Sequence, residues 1–377
     1  MRSLTGIRGL AACWVMSGHY FCHPPSNTTV CVFVGHSYVA VDLFLILSGF
    51  VLAATYEARF DGKPFAADRV ATFLRQRVAR IYPLYAVVTL VSGLMAFKGI
   101  HLWGDPQVST GMLLANLLMV QSWGLSSASV VAAGWSVSTE WAANLLFPLF
   151  IATLAWRIRH SALVAGIAFL ALARIAFIDG NAGAGASAFG ALNWYLFPLS
   201  LVRCLSEFAL GVFCWQLRAQ AEWVACLGRT PVLLALLLGA AVLTLATSLD
   251  IVLVLLGCCI IIGFSFERSW LAGLCGSAVP RWLGTISFSI YLLHMPFLPL
   301  RAALRDVSWS GVPLPDDVAN WILMATVIAA SALSFHFLER PAQARLRGSS
   351  RRRGPRPCDS PSESNLTQTE ISPGTTL

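Results

Sequence analysis

Long apolar runs alternate with short polar stretches along the whole chain. The runs fall at 4–22, 38–56, 81–98, 110–123, 137–156, 161–178, 197–216, 231–248, 250–266, 283–300 and 319–338. Several reach the roughly 17–25 residues that a membrane-crossing helix needs. The pattern predicts an all-α fold, a polytopic membrane helix bundle.

The cations between the runs orient them. Stretch 57–80 carries Arg59, Lys63, Arg69, Arg75, Arg77 and Arg80, which marks it as cytoplasmic, whereas 23–37 has no Lys or Arg and reads as outer. Arg157 and Arg159, Arg218 and Arg229, Arg268 and Arg281, and the tail from Arg340 mark further inner stretches. These assignments agree only if 99–136 begins and ends outside. The run 110–123 is therefore expected to be a re-entrant or surface helix. That leaves about ten transmembrane helices with both termini cytoplasmic. On this count all but five of the 26 Lys and Arg are cytoplasmic.

Composition agrees. The chain is 57% hydrophobic and 12% charged, where a soluble domain is nearer half apolar and a quarter charged. The net charge of +8 does not point to nucleic acid, because most cations flank apolar segments. The first run is not a signal peptide, since its charge is interior and no small-residue cleavage site follows. Residues 1–342 read as one membrane domain, with 179–195 as a flexible outer Gly/Ala loop. Residues 343–377 read as a basic, polar cytoplasmic tail, disordered, with Arg351, Arg352 and Arg353 near anionic lipid headgroups. Most of the ten cysteines sit in apolar runs and read as small buried hydrophobes. Cys22 and Cys31 flank the first outer loop, and the sequence leans against a bridge between them, which would need that loop to be periplasmic. No Cys or His spacing suggests a metal site.

The polar residues inside the runs carry the candidate chemistry. Arg8 and His19 are eleven residues apart in the first run. Eleven residues make about three helical turns, so both lie on one face, roughly 16 Å apart along the axis. Ionisable groups in a bilayer are costly and usually functional. Span one runs outward, which puts Arg8 near the cytoplasm and His19 near the outside. Asp42 and Glu140 are expected near the outer ends of their helices, with His294 mid-span. Arg203 and Glu207 are four apart and pair along a helix, more as structure than as chemistry. Guanidiniums would gather inside, where their forks suit phosphate. A base with carboxylates would gather outside, where an imidazole suits a hydroxyl proton. Blander readings stand beside these. They give Arg75 and its neighbours as boundary charges only, His19 as a helix–helix hydrogen bond, and Asp42 as a cap. Ser48-Gly49-Phe50 reads as close helix packing, since no nucleophile elbow surrounds it.

Six motifs in order resemble those of the integral-membrane acyltransferase 3 family, bacterial O-acyltransferases of ten-span architecture. They are Leu4-Thr-Gly-Ile-Arg8-Gly-Leu-Ala-Ala followed by His19; Ala40-Val-Asp42 through Ser48-Gly49-Phe50; Arg77-Val-Ala-Arg80-Ile-Tyr-Pro83; Trp135-Ser136-Val-Ser138-Thr-Glu140; Ile286-Ser287 through Tyr291-Leu-Leu-His294; and Glu339-Arg340-Pro341. The resemblance implies an acyl-CoA donor, usually acetyl-CoA, bound from the cytoplasm of a bacterial inner membrane. It implies transfer to a hydroxyl of an envelope carbohydrate or lipid-linked sugar. Arg8 and His19 match the family's essential pair, Arg77 and Arg80 its Arg-x-x-Arg motif, and Glu140 its acidic residue.

The expected mechanism places the donor on Arg8, Arg77 and Arg80. His19 acts as base, with Glu140 or Asp42 charging or orienting the imidazole. Ser138 and Tyr291 are weak candidates for an oxyanion donor. A ten-span secondary transporter using His19, Asp42 and Glu140 as a proton relay competes with this reading. So does a non-enzymatic role in polysaccharide export or assembly. The transporter should show broken helices or repeat symmetry, and the sequence shows neither clearly.

Overall fold

The computed structural model describes residues 1–22, 28–60, 62–99, 108–125, 129–155, 158–177, 192, 196–246, 249–305, 308–309 and 312–348. Among these the chain forms seventeen α-helices: α1 (Arg2–Phe21), α2 (Thr29–Gly35), α3 (Val39–Phe60), α4 (Ala67–Phe97), α5 (Thr110–Leu117), α6 (Gly134–Leu145), α7 (Phe147–Ala152), α8 (Ile158–Ala176), α9 (Leu199–Gln220), α10 (Thr230–Ala246), α11 (Asp250–Ser265), α12 (Trp270–Cys275), α13 (Ala278–Thr285), α14 (Ser287–Phe297), α15 (Leu300–Arg305), α16 (Asp316–Ser334) and α17 (Arg340–Gly348). The one extended element among the described residues is a two-residue antiparallel pairing of Ser308–Trp309 with Val312–Pro313. The expected Gly/Ala loop, apart from Leu192, and most of the expected disordered tail lie outside the described residues.

Among the described residues, five helical stretches are long and apolar enough to cross a membrane: Thr29–Phe60, Ala67–Phe97, Ile158–Ala176, Leu199–Gln220 and Asp316–Leu346. A sixth follows if Glu222–Gly228 and Thr230–Leu245, bent by 71°, make one span. The molecule is an all-helical, multi-pass bundle. Several apolar runs become something other than one straight helix. Run 137–156 divides into α6 and α7 around Leu146, because Pro148 brings no N–H to a continuing helix. Run 283–300 divides into α13 and α14 at Ile286. Run 110–123 yields the eight-residue α5, about 12 Å long and too short to cross. Most of the cationic stretch 57–80 is helical, its two ends belonging to α3 and α4. The 31 residues of α4 span about 46 Å, longer than a hydrocarbon core of roughly 30 Å, and the helix starts within the arginines.

The bundle is centred on α3 and α9. Gly49 and Gly211 let their backbones touch: a Cβ on Gly49 would lie 2.1 Å from Phe208 O, and one on Gly211 2.0 Å from Ile46 O. Small residues at such crossings are the usual device where lipid leaves no hydrophobic drive between helices. Around this crossing lies a core that includes Ile46, Phe50, Leu172, Leu210 and Ile261. A second core on its flank stacks Phe73 on Phe147 at 4.6 Å between ring centres, with Tyr56 and Phe60 edge-on.

Helix α1 is fixed at both ends. Its first backbone N–H groups, of Arg2 and Ser3, donate to the Glu267 carboxylate, and Ser3 Oγ donates to Phe264 O at 2.9 Å. At the far end Tyr20 OH donates to His294 O at 2.6 Å. Just beyond, Cys22 and Cys31 form a disulfide, contrary to the expectation from sequence. The reason is geometric: α2 folds back on α1 and brings the two Cα atoms to 5.5 Å, within bridging range.

Gly49→Ala should strain the α3–α9 crossing by about 1–3 kcal/mol. Gly166→Ala, on α8 with no atom within 4 Å of the added Cβ, should leave stability equal or slightly raised. Thermal unfolding of the detergent-solubilised proteins compares them. Equal midpoints for Gly49→Ala and wild type would refute the close approach.

Candidate active site

Helical spacing delivers a set of polar side chains to one chamber. Arg77 and Arg80 are three apart on α4, Ser136 and Glu140 four apart on α6, and Ser287 and Tyr291 four apart on α14, so each pair shares a helix face. With Arg8 and Ser48 they line a narrow cavity of about 110 Å³ among apolar residues such as Leu45, Val51 and Phe288.

Each charge in the chamber has partners. Arg77 donates through Nη2 to Glu140 Oε1 at 2.9 Å and through Nε to Asn144 Oδ1 at 2.9 Å. Ser48 Oγ donates to the same Glu140 oxygen at 2.7 Å. Arg8 uses the break between α13 and α14. A helix end leaves carbonyls unpaired, and Arg8 Nη2 takes that of Gly284 at 3.2 Å while Nε takes Ser287 Oγ at 3.1 Å. Ser136 Oγ and Tyr291 OH lie 2.7 Å apart.

A wider cavity of about 540 Å³ adjoins the first. It is lined by Met1, Thr5, Thr55, Thr285, Glu339 and Gln343, among others. Arg8, Leu47, Val51, Arg80 and Phe288 line both cavities. We term the wider cavity the vestibule and the narrower one the chamber; the guanidiniums of Arg8 and Arg80 line both. Glu339 sits in a π-turn over Phe335–Glu339, where its carboxylate accepts from Ser289 Oγ and, at 3.4 Å, Ser334 Oγ. Such turns often mark functional sites.

His19 stands beyond the chamber. Its Nδ1 lies 2.9 Å from Val15 O, and its ring centre is 5.0 Å from that of His294. His294 Nδ1 lies 2.6 Å from Tyr291 O, and the His294 and Tyr291 rings are 5.8 Å apart. Tyr291 therefore joins the two regions, with its hydroxyl at the chamber and its carbonyl on His294.

A third cluster is fully buried. Arg203 Nε donates to Asp42 Oδ1 at 2.6 Å and to Glu207 Oε1 at 3.2 Å, and a second bond runs from Nη2 to Asp42. Trp135 lies against the guanidinium, 5.7 Å from its ring centre. This unit ties α3, α9 and α6 together.

These positions revise three expectations. Glu140 is bonded to Arg77 and Ser48, so the expected separation of inner cations from outer carboxylates does not hold at this point. The cause is that Arg77 lies ten residues, about 15 Å, inside α4, level with the middle of α6. Asp42 is bonded to Arg203, on a helix the sequence could not place beside it. Ser138 donates to Met119 O at 2.9 Å and accepts from Ser122 N at 3.1 Å, which holds the α5 segment rather than facing Tyr291. Nothing in the sequence singles out Asn144, one turn after Glu140, as a partner of Arg77. Ser48, whose sequence context points to packing, also donates to Glu140.

Buried guanidinium–carboxylate and serine–tyrosine contacts, reached through a vestibule in an all-helical multi-pass bundle, define a membrane protein with an internal polar site. The chain belongs to the acyltransferase 3 family: that family's acyltransferase-domain model matches residues 1–338. It is 35% identical over 161 residues to the acyltransferase MdmB of Streptomyces mycarofaciens, a match covering 39% of this chain and 38% of that one. It is 40% identical over 89 residues to Protein 2 in the picA locus of Rhizobium radiobacter, covering 22% of this chain and 39% of that one. The matches thus span about two-fifths of the length of each relative. No solved structure matches.

Arg203→Met would leave two carboxylates buried without their cation, and should cost about 3–5 kcal/mol. Glu207→Gln keeps the Arg203–Asp42 pair and should cost clearly less. The fraction of protein that elutes folded after detergent extraction and heating reports both. An equal loss for the two variants would contradict this division.

Proposed function

We propose that the protein is a membrane O-acyltransferase that moves an acyl group, acetyl in the simplest case, from acyl-CoA to a hydroxyl of an envelope carbohydrate or lipid-linked sugar. The observation that carries this reading is a pair of adjoining cavities that share Arg8 and Arg80, with Arg77, Glu140 and Tyr291 lining the chamber. Guanidinium forks suit phosphate oxygens. The donor's nucleotide end occupies the vestibule against Arg8 and Arg80. Its pantetheine arm passes Phe288, and its thioester reaches the Tyr291 end. The Arg77–Glu140–Asn144 unit keeps the chamber wall in place.

His19 is the general base. The acceptor oxygen attacks the thioester carbonyl, the hydroxyl proton passes to His19, a C–O bond forms and the C–S bond breaks. CoA leaves as the thiolate toward the vestibule. In this arrangement the protein has ten spans, with Met1 and the vestibule facing the cytoplasm of a bacterial inner membrane. The cationic stretches support that orientation. The transporter reading has less support, since His19, Asp42 and Glu140 belong to three separate clusters rather than one relay.

Membranes containing the protein, supplied with radiolabelled acetyl-CoA, should transfer label to envelope material. His19→Ala should lower that rate at least about 100-fold, and Arg80→Ala should chiefly raise the KM for acetyl-CoA. Full activity of His19→Ala at normal expression would refute the assignment.

A further inference from the structure

Two imidazoles meet beyond the chamber, and the mechanism above uses one. His19 on α1 and His294 on α14 have ring centres 5.0 Å apart. In each ring Nδ1 lies against a backbone carbonyl, of Val15 and of Tyr291. A carbonyl only accepts, so Nδ1 carries the hydrogen in both neutral rings. Both Nε2 atoms are then lone-pair acceptors. That of His294 is buried, in a residue 1% exposed, and has no hydrogen-bond partner. Buried polar atoms are normally paired, and this ring cannot easily turn to find a partner. Its Nδ1 is tied to Tyr291, and the Tyr20 hydroxyl holds its backbone carbonyl.

One hydroxyl has one proton and satisfies one nitrogen. If the attacking hydroxyl goes to His19, the unpaired His294 Nε2 calls for a second donor on the same ligand. We propose that His294 is the second hydrogen-bond acceptor of the alcohol site. It takes the hydroxyl next to the one that His19 deprotonates, so the site selects vicinal diols. This rests on the reading of His19 as the base.

The division of roles follows from charge. Two imidazolium rings this close would repel each other in an apolar setting. When His19 gains the proton of the attacking hydroxyl, His294 stays neutral and remains an acceptor. In the step the acceptor oxygen forms its bond to the acyl carbon, the C–S bond gives its electrons to the thiolate, and the proton goes to His19. The neighbouring hydroxyl keeps its hydrogen and donates it to His294 Nε2. It is not acylated. Its hydrogen bond fixes which oxygen faces the thioester.

The test uses the full chain in lipid nanodiscs, with radiolabelled acetyl-CoA as donor and cis-1,2-cyclohexanediol or cyclohexanol as probes. The diol should be acetylated about tenfold faster at limiting concentration, the scale of one hydrogen bond. His294→Leu should bring that ratio close to one, and His294→Gln, which keeps an accepting oxygen, should retain part of it. A second measurement needs no catalysis. In protein labelled with 15N at histidine, the diol should move the His294 Nε2 resonance and cyclohexanol should not. A ratio near one in wild type with no resonance shift, or a ratio unchanged by His294→Leu, overturns the proposal. A resonance shift in wild type together with undiminished acetyl transfer by His19→Ala upholds the diol site and instead refutes His19 as the base.

Discussion

A guanidinium inside a stack of apolar helices is admissible only where other helices bring it partners, and this requirement organises the molecule. Arg8 on α1 is met by the Gly284 carbonyl and Ser287 at the α13–α14 break. Arg77 on α4 is met by Glu140 and Asn144 on α6. Arg203 on α9 is met by Asp42 on α3 and Glu207 on its own helix. Each arginine fixes the register between helices that apolar packing alone would let slide, because slipping by a turn would strand a buried charge. The three ties together hold α1, α3, α4, α6, α9 and α14, which are the helices that build the site.

The three clusters differ in what they leave available. The Arg203 unit is closed, with Arg203, Asp42 and Glu207 all at most 1% exposed, and it acts as a brace. The Arg77–Glu140 pair lines an open chamber, so the same chemistry there is both wall and surface. Arg8 is held by neutral groups, a carbonyl and a hydroxyl, and so keeps its positive charge uncompensated by those partners. Arg80 lines the same two cavities, so two guanidiniums stand where they meet, while the Arg77 charge is balanced by Glu140.

Much of this was legible beforehand. The apolar runs gave the helices, because burial in lipid demands about twenty apolar residues and little else. Eleven-residue spacing put Arg8 and His19 on one face, and four-residue spacing paired Arg203 with Glu207. The ordered motifs gave the family that its domain model then matched. The helix breaks were harder to read. Pro148 was visible but its consequence was not, and the break before Ser287 depends on how α13 lies against α1.

The sequence by itself determined which residues are costly to bury and how they are spaced along each helix, because periodicity and desolvation are local properties. Only the tertiary structure decided which of them meet. Glu140 bonds Arg77, Asp42 bonds Arg203, and His19 faces His294, because those pairings depend on how far each helix slides along its neighbours. Loop charges give a helix its direction but not its depth. Depth is set by the buried arginine ties together with contacts such as Gly49 against Phe208 and the α1 terminus against Glu267, which form only when the whole bundle has closed.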